Sequence, residues 1–380
     1  MKKIRLTMAF ALAVCGSIIA TAQEMIPLWK EGKMPNSKGL ILKDSVAQQR
    51  LYQVGTPRMY VYLAPKEINT GAAVLIVPGG GYIRLPETYT GNSTAKFFQD
   101  RGINAFIVCH RLPTSRDLVT RHTAPLQDAQ RAMRIIRANA AKWDIDPERI
   151  GVNGTSAGAH VASTLGTHQE DISAVGDEYD RFSYKPAFIM LISGVLSMER
   201  PITHGVSRES LLGANPSDEL VKAYSNENRV TSSTPPTLLI HADNDNGVSP
   251  LNSVRFYEAC KKAKVSASLH IFPFGAHGLG VGKNPGSADM WPQLSVEWLK
   301  EMNIISTVSS SALHINGQPT EPPLYLVDDV EVQNISRIKR EDIQSISFLT
   351  TEESKSKYGE RGKNGVMLIA TKPANSNPNF

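Results

Sequence analysis

A serine hydroxyl becomes a useful nucleophile only in company. It needs an imidazole to take its proton, a carboxylate to fix that imidazole, and amide donors for the oxyanion that forms. The chain holds a candidate for each part. Ser156 lies in "RIGVNGTSAGAH", where Gly154-Thr155-Ser156-Ala157-Gly158 follows an apolar run. Small residues around one serine suit a sharp strand-to-helix corner, with strained backbone and chains passing close by. G-x-S-x-G alone is a weak motif. His277 lies in the small, glycine-rich "FPFGAHGLG" after a strand-like run. Asp243 and Asp245 follow the strand-like "LLIHA". They are a metal pair, plain loop acids, or the source of the carboxylate, since sheet-based active sites gather in loops after parallel strands. With Asp245 the chain order is nucleophile, acid, base: Ser156, Asp245, His277. Hydrolysis by such a site is expected to decline in acid, because the imidazole must be neutral to act as a base.

Pro78-Gly79-Gly80-Gly81-Tyr82 supplies the amides. Glycines directly after a buried strand leave N–H groups unshielded. Gly80 and Gly81, with Ala157, are the expected oxyanion donors. A phosphate loop would need Lys-Ser/Thr after the glycines, and none follows; a plain tight turn is the simpler alternative. Tyr82 and His204 are candidate substrate contacts. His160 is expected to pack or hydrogen-bond. Asp128 is expected to pair with Arg131 on an exposed helix face. Arg208 fits loop structure as well as a cleft wall, and Trp291 and Trp298 fit helix packing better than a sugar platform.

The elements that must position these residues are readable. Strand-like apolar runs cover Met59–Leu63, Ala73–Val77, Ile103–Cys109, Ile150–Asn153, Phe188–Ile192, Thr237–His241 and Ser268–Phe272. Nearly consecutive apolar positions suit strands buried on both faces. The clearest helix runs from Ala124 to Trp143, with Leu126, Ala129, Ala132, Met133, Ile136 and Ala140 at three- and four-residue steps. The alternation predicts an α/β fold with a mostly parallel sheet flanked by helices.

With 380 residues and 41% hydrophobic content, the chain suffices for one large domain and a small one. Residues 1–22 read as a secretory signal: Lys2, Lys3 and Arg5, a short apolar core, then Ala20-Thr21-Ala22. Leu12-Ala13-Val14-Cys15 also resembles a lipoprotein signal, although Val14 is bulky for the place before such a cysteine. Removing the three basic residues lowers the formal net charge from +5 to +2, so charge gives no reason to expect a nucleic-acid partner. Cys109 and Cys260 are expected as buried thiols. No Cys/His cluster has metal-ligand spacing, and no cofactor or metal is expected.

From about residue 70 to 302 the chain resembles α/β-hydrolase esterases of the acetyl-xylan-esterase and bacterial feruloyl-esterase type. The blocks that carry the resemblance are "VPGGGY", "APLQDAQRAMRIIR", "IDPERIGVNGTSAGAHVAS", "SRESLLG", "STPPTLLIHADNDNGVSP" and "HIFPFGAHGLGVG", in family order. It implies nucleophile Ser156, acid Asp245 with Asp243 in reserve, and base His277. It also implies an exported serine carboxylesterase that removes acyl groups, acetyl first, from carbohydrate esters such as acetylated xylan. The chain departs from the family at Ala159 and Ala276, where glycine is usual, at Ser249-Pro250, where valine-proline is commoner, and at His110, where tyrosine is usual. The two alanines are small and expected to fit; Ser249 is expected to displace the acid loop slightly. An exopeptidase with the same triad is a rival, but such enzymes usually carry a large propeller that the residues before Pro78 do not make.

The alternation ends near Ile305. Residues 306–312, "STVSSSA", read as a linker, with the esterase domain at 23–305 before it and a β-rich module at 313–380 after it. Pro323 to Lys372 resembles the plug region of TonB-dependent outer-membrane receptors, best at Tyr358-Gly359, Arg361-Gly362 and Asn364-Gly365-Val366. Asp329 stands where glycine is common. The resemblance implies periplasmic or outer-membrane-associated placement and an envelope partner. It also raises a second reading, an adaptor whose hydrolase domain is secondary.

Overall fold

The computed structural model describes residues 24–86, 90–305, 324–332, 343–349 and 351–371. The expected signal segment and the serine-rich stretch 306–312 lie outside the described residues. The chain divides into two compact units, Met1–Ile305 and Ser306–Phe380.

The first unit is built on an eight-stranded sheet. Its strands are β1 (Met25–Pro27), β4 (Arg58–Tyr62), β5 (Ala73–Val77), β7 (Asn104–Cys109), β8 (Ile150–Thr155), β9 (Ile189–Ile192), β10 (Thr237–Ala242) and β11 (Ala267–Phe272). Their order is β1-β4-β7-β5-β8-β9-β10-β11. The β1–β4 and β4–β7 pairs are antiparallel and the rest parallel. All seven expected strands form, with no end moved by more than two residues. The short strands β2 (Ser45–Ala47), β3 (Arg50–Gln53) and β6 (Leu85–Pro86) make a separate small sheet.

Every residue of β5 is buried, as its unbroken Ala-Val-Leu-Ile-Val requires. Alternation then divides its side chains between two layers. Ala73, Leu75 and Val77 join the core under α2 (Ala124–Ala138), α3 (Ala157–Thr167) and α6 (Leu251–Lys262). Val74 and Ile76 join the core under α1 (Thr90–Gln99) and α7 (Trp291–Glu301). Consecutive strands lie on opposite sides of β5, with β7 on one flank and β8 on the other. That reversal opens a crevice at the carboxyl ends of β5 and β8, the usual ligand position in such sheets. The shorter helices α4 (Gly205–Leu212) and α5 (Asp218–Ala223) lie between β9 and β10 in the chain.

Two expectations for α2 are corrected. The helix ends at Ala138, and the Asn139 amide turns back toward the carbonyls of Ile135 and Ile136. Asp128 is fully buried and does not pair with Arg131. It binds Arg111 at 2.8 Å and accepts the Trp29 indole N–H at 2.8 Å. Arg131 is also buried, donating to the Leu28 carbonyl and pairing with Asp177. The N-terminal segment around Leu28-Trp29 and the 170–182 loop cover the helix face that the sequence pattern leaves to solvent. Cys109 and Cys260 are buried and form no disulfide.

The second unit carries β12 (Leu324–Val327), β13 (Val330–Val332), β14 (Ile343–Leu349), α8 (Thr351–Tyr358) and β15 (Val366–Thr371). Its sheet runs β13-β12-β15-β14, with β12 and β15 parallel. Asp328 and Asp329 close the β12–β13 hairpin at φ 47° and 64°. Aspartate tolerates this left-handed pair better than most non-glycine residues. The Asp328 carboxylate also accepts the Thr371 amide at 2.8 Å.

Candidate active site

Ser156 stands between β8 and α3 with φ 56° and ψ −122°, a conformation that costs a non-glycine residue on the order of 1–3 kcal/mol. Three backbone bonds hold it there. Its amide donates to the Ile192 carbonyl, and its own carbonyl accepts from Ala159 and Val195. The small neighbours have a direct reason. A Cβ on Gly154 would lie 2.4 Å from the Gly158 carbonyl oxygen, and one on Gly158 only 2.1 Å from that of Val77. Strand, corner and helix approach closely because neither position carries a side chain.

His277 and Asp245 come to this corner from the loops after β11 and β10. His277 Nε2 lies 2.9 Å from Ser156 Oγ, and His277 Nδ1 lies 2.9 Å from Asp245 Oδ2. The carboxylate can only accept, so Nδ1 carries the proton and the Nε2 lone pair faces the serine hydroxyl. Asp245 Oδ1 accepts the amides of Gly247 and Val248, both at 2.8 Å. Burial alone would raise the Asp245 pKa. Bonds from His241, His277 and the Val248 amide outweigh it and hold the carboxyl well below the usual carboxylate range. Asp243 makes no bond to His277; its backbone amide continues the β10–β11 ladder. Ser249 does not take Asp245 out of reach of His277.

A cleft of about 610 Å³ opens over Ser156 and His277. Gly80 and Gly81 line it, at φ 140° and 64°, in a turn whose Gly80 carbonyl accepts from Ile83 and Arg84. The Gly80, Gly81 and Ala157 amides donate to no other described residue. Ala157 opens α3, where helix amides are unsatisfied and carry partial positive charge. A hydroxyl, a base and an acid in series beside unspent amides can transfer a proton and stabilise a new negative charge.

His204 lines the cleft, and its Nδ1 lies 2.8 Å from Ser207 Oγ. Burial first, and then the nearby His277, lower its pKa, which favours the neutral ring. Tyr82, expected as a substrate contact, is corrected: its side chain is buried and turned into the core. Its hydroxyl lies 2.7 Å from His160 Nδ1, while His160 Nε2 donates to the Tyr224 carbonyl at 2.7 Å. His160 is thereby structural, and burial lowers its pKa to about 4. Trp291 is also buried, donating to the Gly280 carbonyl at 2.9 Å. Trp298 packs in the same layer. Arg208 donates to the Met198 carbonyl at 3.1 Å. His110 is buried against the Arg111 carbonyl. Ala276 takes φ 53°, so alanine there carries backbone strain that glycine would avoid.

One neighbour of the site escaped sequence reasoning. Fully buried His241 lies 3.3 Å from Asp245 Oδ2 and 3.0 Å from the Val248 carbonyl, and Ser253 Oγ lies 2.8 Å from its other nitrogen. Its place within an apolar strand gave no hint of this.

Comparisons with known proteins agree with the architecture. An acetylxylan esterase of Xylanibacter ruminicola is 32% identical over 252 residues, 65% of this chain and 49% of that protein. The chain thus spans about half the length of that relative. The solved structure of an acetyl ester-xyloside bifunctional hydrolase from Caldicellulosiruptor lactoaceticus is 34% identical. The match covers 76% of this chain and 100% of that one, with a TM-score of 0.65. A short match, 44% identical over 50 residues, to TonB-dependent receptor P39 of Formosa agariphila spans 13% of this chain and 5% of the receptor. The α/β-hydrolase fold carries the Ser156 corner at the expected strand end, and residues 59–260 match the BD-FAE family model: the chain belongs to the BD-FAE family.

Proposed function

We propose that the protein is an exported serine carboxylesterase that removes acetyl groups from carbohydrate esters such as acetylated xylan. The observation that carries the reading is the series Asp245, His277, Ser156, each contact at 2.9 Å. The acetyl-ester chemistry in the names of its relatives supports the choice of acyl group.

In this reading Ser156 Oγ attacks the ester carbonyl carbon while its proton passes to His277 Nε2. The carbonyl oxygen gathers negative charge opposite the Gly80, Gly81 and Ala157 amides. Asp245 stabilises the imidazolium without taking the proton. The C–O bond to the sugar breaks as His277 returns the proton to the leaving alcohol. Water, deprotonated by the same imidazole, then attacks the acyl-enzyme, releasing acetate and free Ser156.

Acetate release from acetylated xylo-oligosaccharides by the wild type and by Ser156→Ala tests the reading. The wild type is expected to turn over, and the variant to lose several orders of magnitude in kcat. Equal release by both would overturn it. The C-terminal unit, whose sequence from Pro323 to Lys372 resembles a receptor plug, is read as a tether to an envelope partner. Deleting residues 306–380 should spare hydrolysis of small esters but abolish capture of that partner; capture unchanged would end the tether reading.

A further inference from the structure

The titratable side chains lining the cleft are Arg50, Arg84, His204 and His277, and among the described residues no aspartate or glutamate lines it. Asp245 lies behind His277 with its charge committed to four donors. Two permanent cations thus face the cleft with no ion pair to any described residue. The buried arginines among the described residues of this unit are paired: Arg58 with Asp44, Arg111 with Asp128, Arg131 with Asp177 and Arg134 with Asp171. Glu87, the acid nearest in sequence, lies outside the described residues.

Arg50 and Arg84 are brought together by the small sheet. In the β3–β6 pair, Arg50 faces Pro86 and Leu51 faces Leu85. Leu51 and Leu85 are buried, so alternation sends Arg50 and Tyr52 to the opposite face. Arg84 immediately precedes β6, and its stem lies beside the catalytic loop: a Cβ on Gly80 would come within 3.4 Å of Arg84 Cγ. Arg50 is exposed and Tyr52 is 39% exposed. Ile76, Asn153 and Trp291, which also line the cleft, are buried, whereas Arg50 is exposed. A small acyl group suits the buried part of the lining, and a sugar suits the part open to solvent, where Arg50 stands.

From this juxtaposition we infer that the alcohol portion of the substrate carries a carboxylate: the enzyme takes acylated oligosaccharides bearing a uronate residue, held by Arg50 and Arg84. This rests on the esterase reading above. Guanidinium forks match carboxylates bidentately.

The test compares kcat/KM for acetylated xylo-oligosaccharides with and without a glucuronate branch, at low and high salt. The wild type is expected to prefer the acidic substrate by roughly tenfold, the scale of one charge-assisted hydrogen bond. The preference should shrink with salt and collapse toward unity in Arg50→Gln/Arg84→Gln. A wild type that treats both alike would overturn the inference. So would a preference that survives in the double variant, or one that emerges only in Glu87→Gln, which would mean that Glu87 neutralises the pair. A preference for aryl hemisuccinate over aryl acetate without one for the uronate would place the carboxylate on the acyl group and refute the assignment to the sugar. Absence of all ester hydrolysis by the wild type would instead refute the esterase reading itself.

Discussion

Replacing Asp245 with asparagine probes the site at its most constrained atom. Oδ1 accepts two backbone amides at 2.8 Å, and Oδ2 accepts from His277 and lies 3.3 Å from His241. An asparagine has one acceptor and one donor end for these two sets of donors. If its oxygen keeps the two amides, its NH₂ faces His277 Nδ1. That nitrogen must then accept, so the ring proton moves to Nε2 and points at Ser156 Oγ. The imidazole can no longer take the serine proton. Wrong-tautomer substitutions of this kind cost about 10,000-fold in kcat, about 5.5 kcal/mol of barrier. The assay is kcat for an aryl acetate at pH 7 and above, with Asp243→Asn in parallel. A companion measurement follows stability against pH. The folded-state pKa of Asp245 lies below the unfolded-state value of 3.8. Its stabilisation is therefore present above about pH 4 and is lost as pH falls through the folded-state value. The variant should be less stable than wild type at pH 7, and the gap should narrow in acid. Turnover by Asp245→Asn within tenfold of wild type, or a larger loss in Asp243→Asn, would refute the reasoning.

Other consequences are equally direct. Gly79→Ala would place a Cβ 2.9 Å from Ser156 Cβ and 2.7 Å from the Thr155 carbonyl oxygen; at least a hundredfold loss of kcat is expected, with far-UV circular dichroism unchanged, and full activity would show that the loop yields freely. Asp128→Ala leaves the Arg111 guanidinium, 2% exposed, without its counterion; a loss of about 3–5 kcal/mol in urea unfolding is expected, and a loss under 1 kcal/mol would mean that the pair is not buried. Gly151→Ala drives a methyl to 2.4 Å from the Phe188 ring; overpacking should cost about 1–3 kcal/mol in thermal unfolding, and an unchanged Tm would count against this packing.

Much of this architecture is legible in the residues because two signals coincide. Ala73–Val77 is apolar throughout and Thr237–Ala242 largely so, and both are buried at every position, as in a doubly covered sheet. Ser156, Asp245 and His277 each follow a parallel strand of this sheet, so the topology brings them to one edge. What escaped was set by long-range covering. Asp128 and Arg131 read as an exposed pair because nothing local shows that residues 28–29 and 170–182 cap α2. Tyr82 follows the glycines but takes φ 62° and turns inward to His160. Short strands with little apolar content, such as Arg50–Gln53, gain their pairing only from tertiary context, which hid the arginine pair.

The central claim is that Ser156 alone becomes covalently acylated. Rapid quenching during turnover of an aryl acetate, followed by peptide mapping, tests it most directly. One acetyl group on the peptide that contains Ser156, absent in Ser156→Ala, is the predicted result. An acetyl group on any other side chain, or steady turnover by Ser156→Ala, would contradict the account.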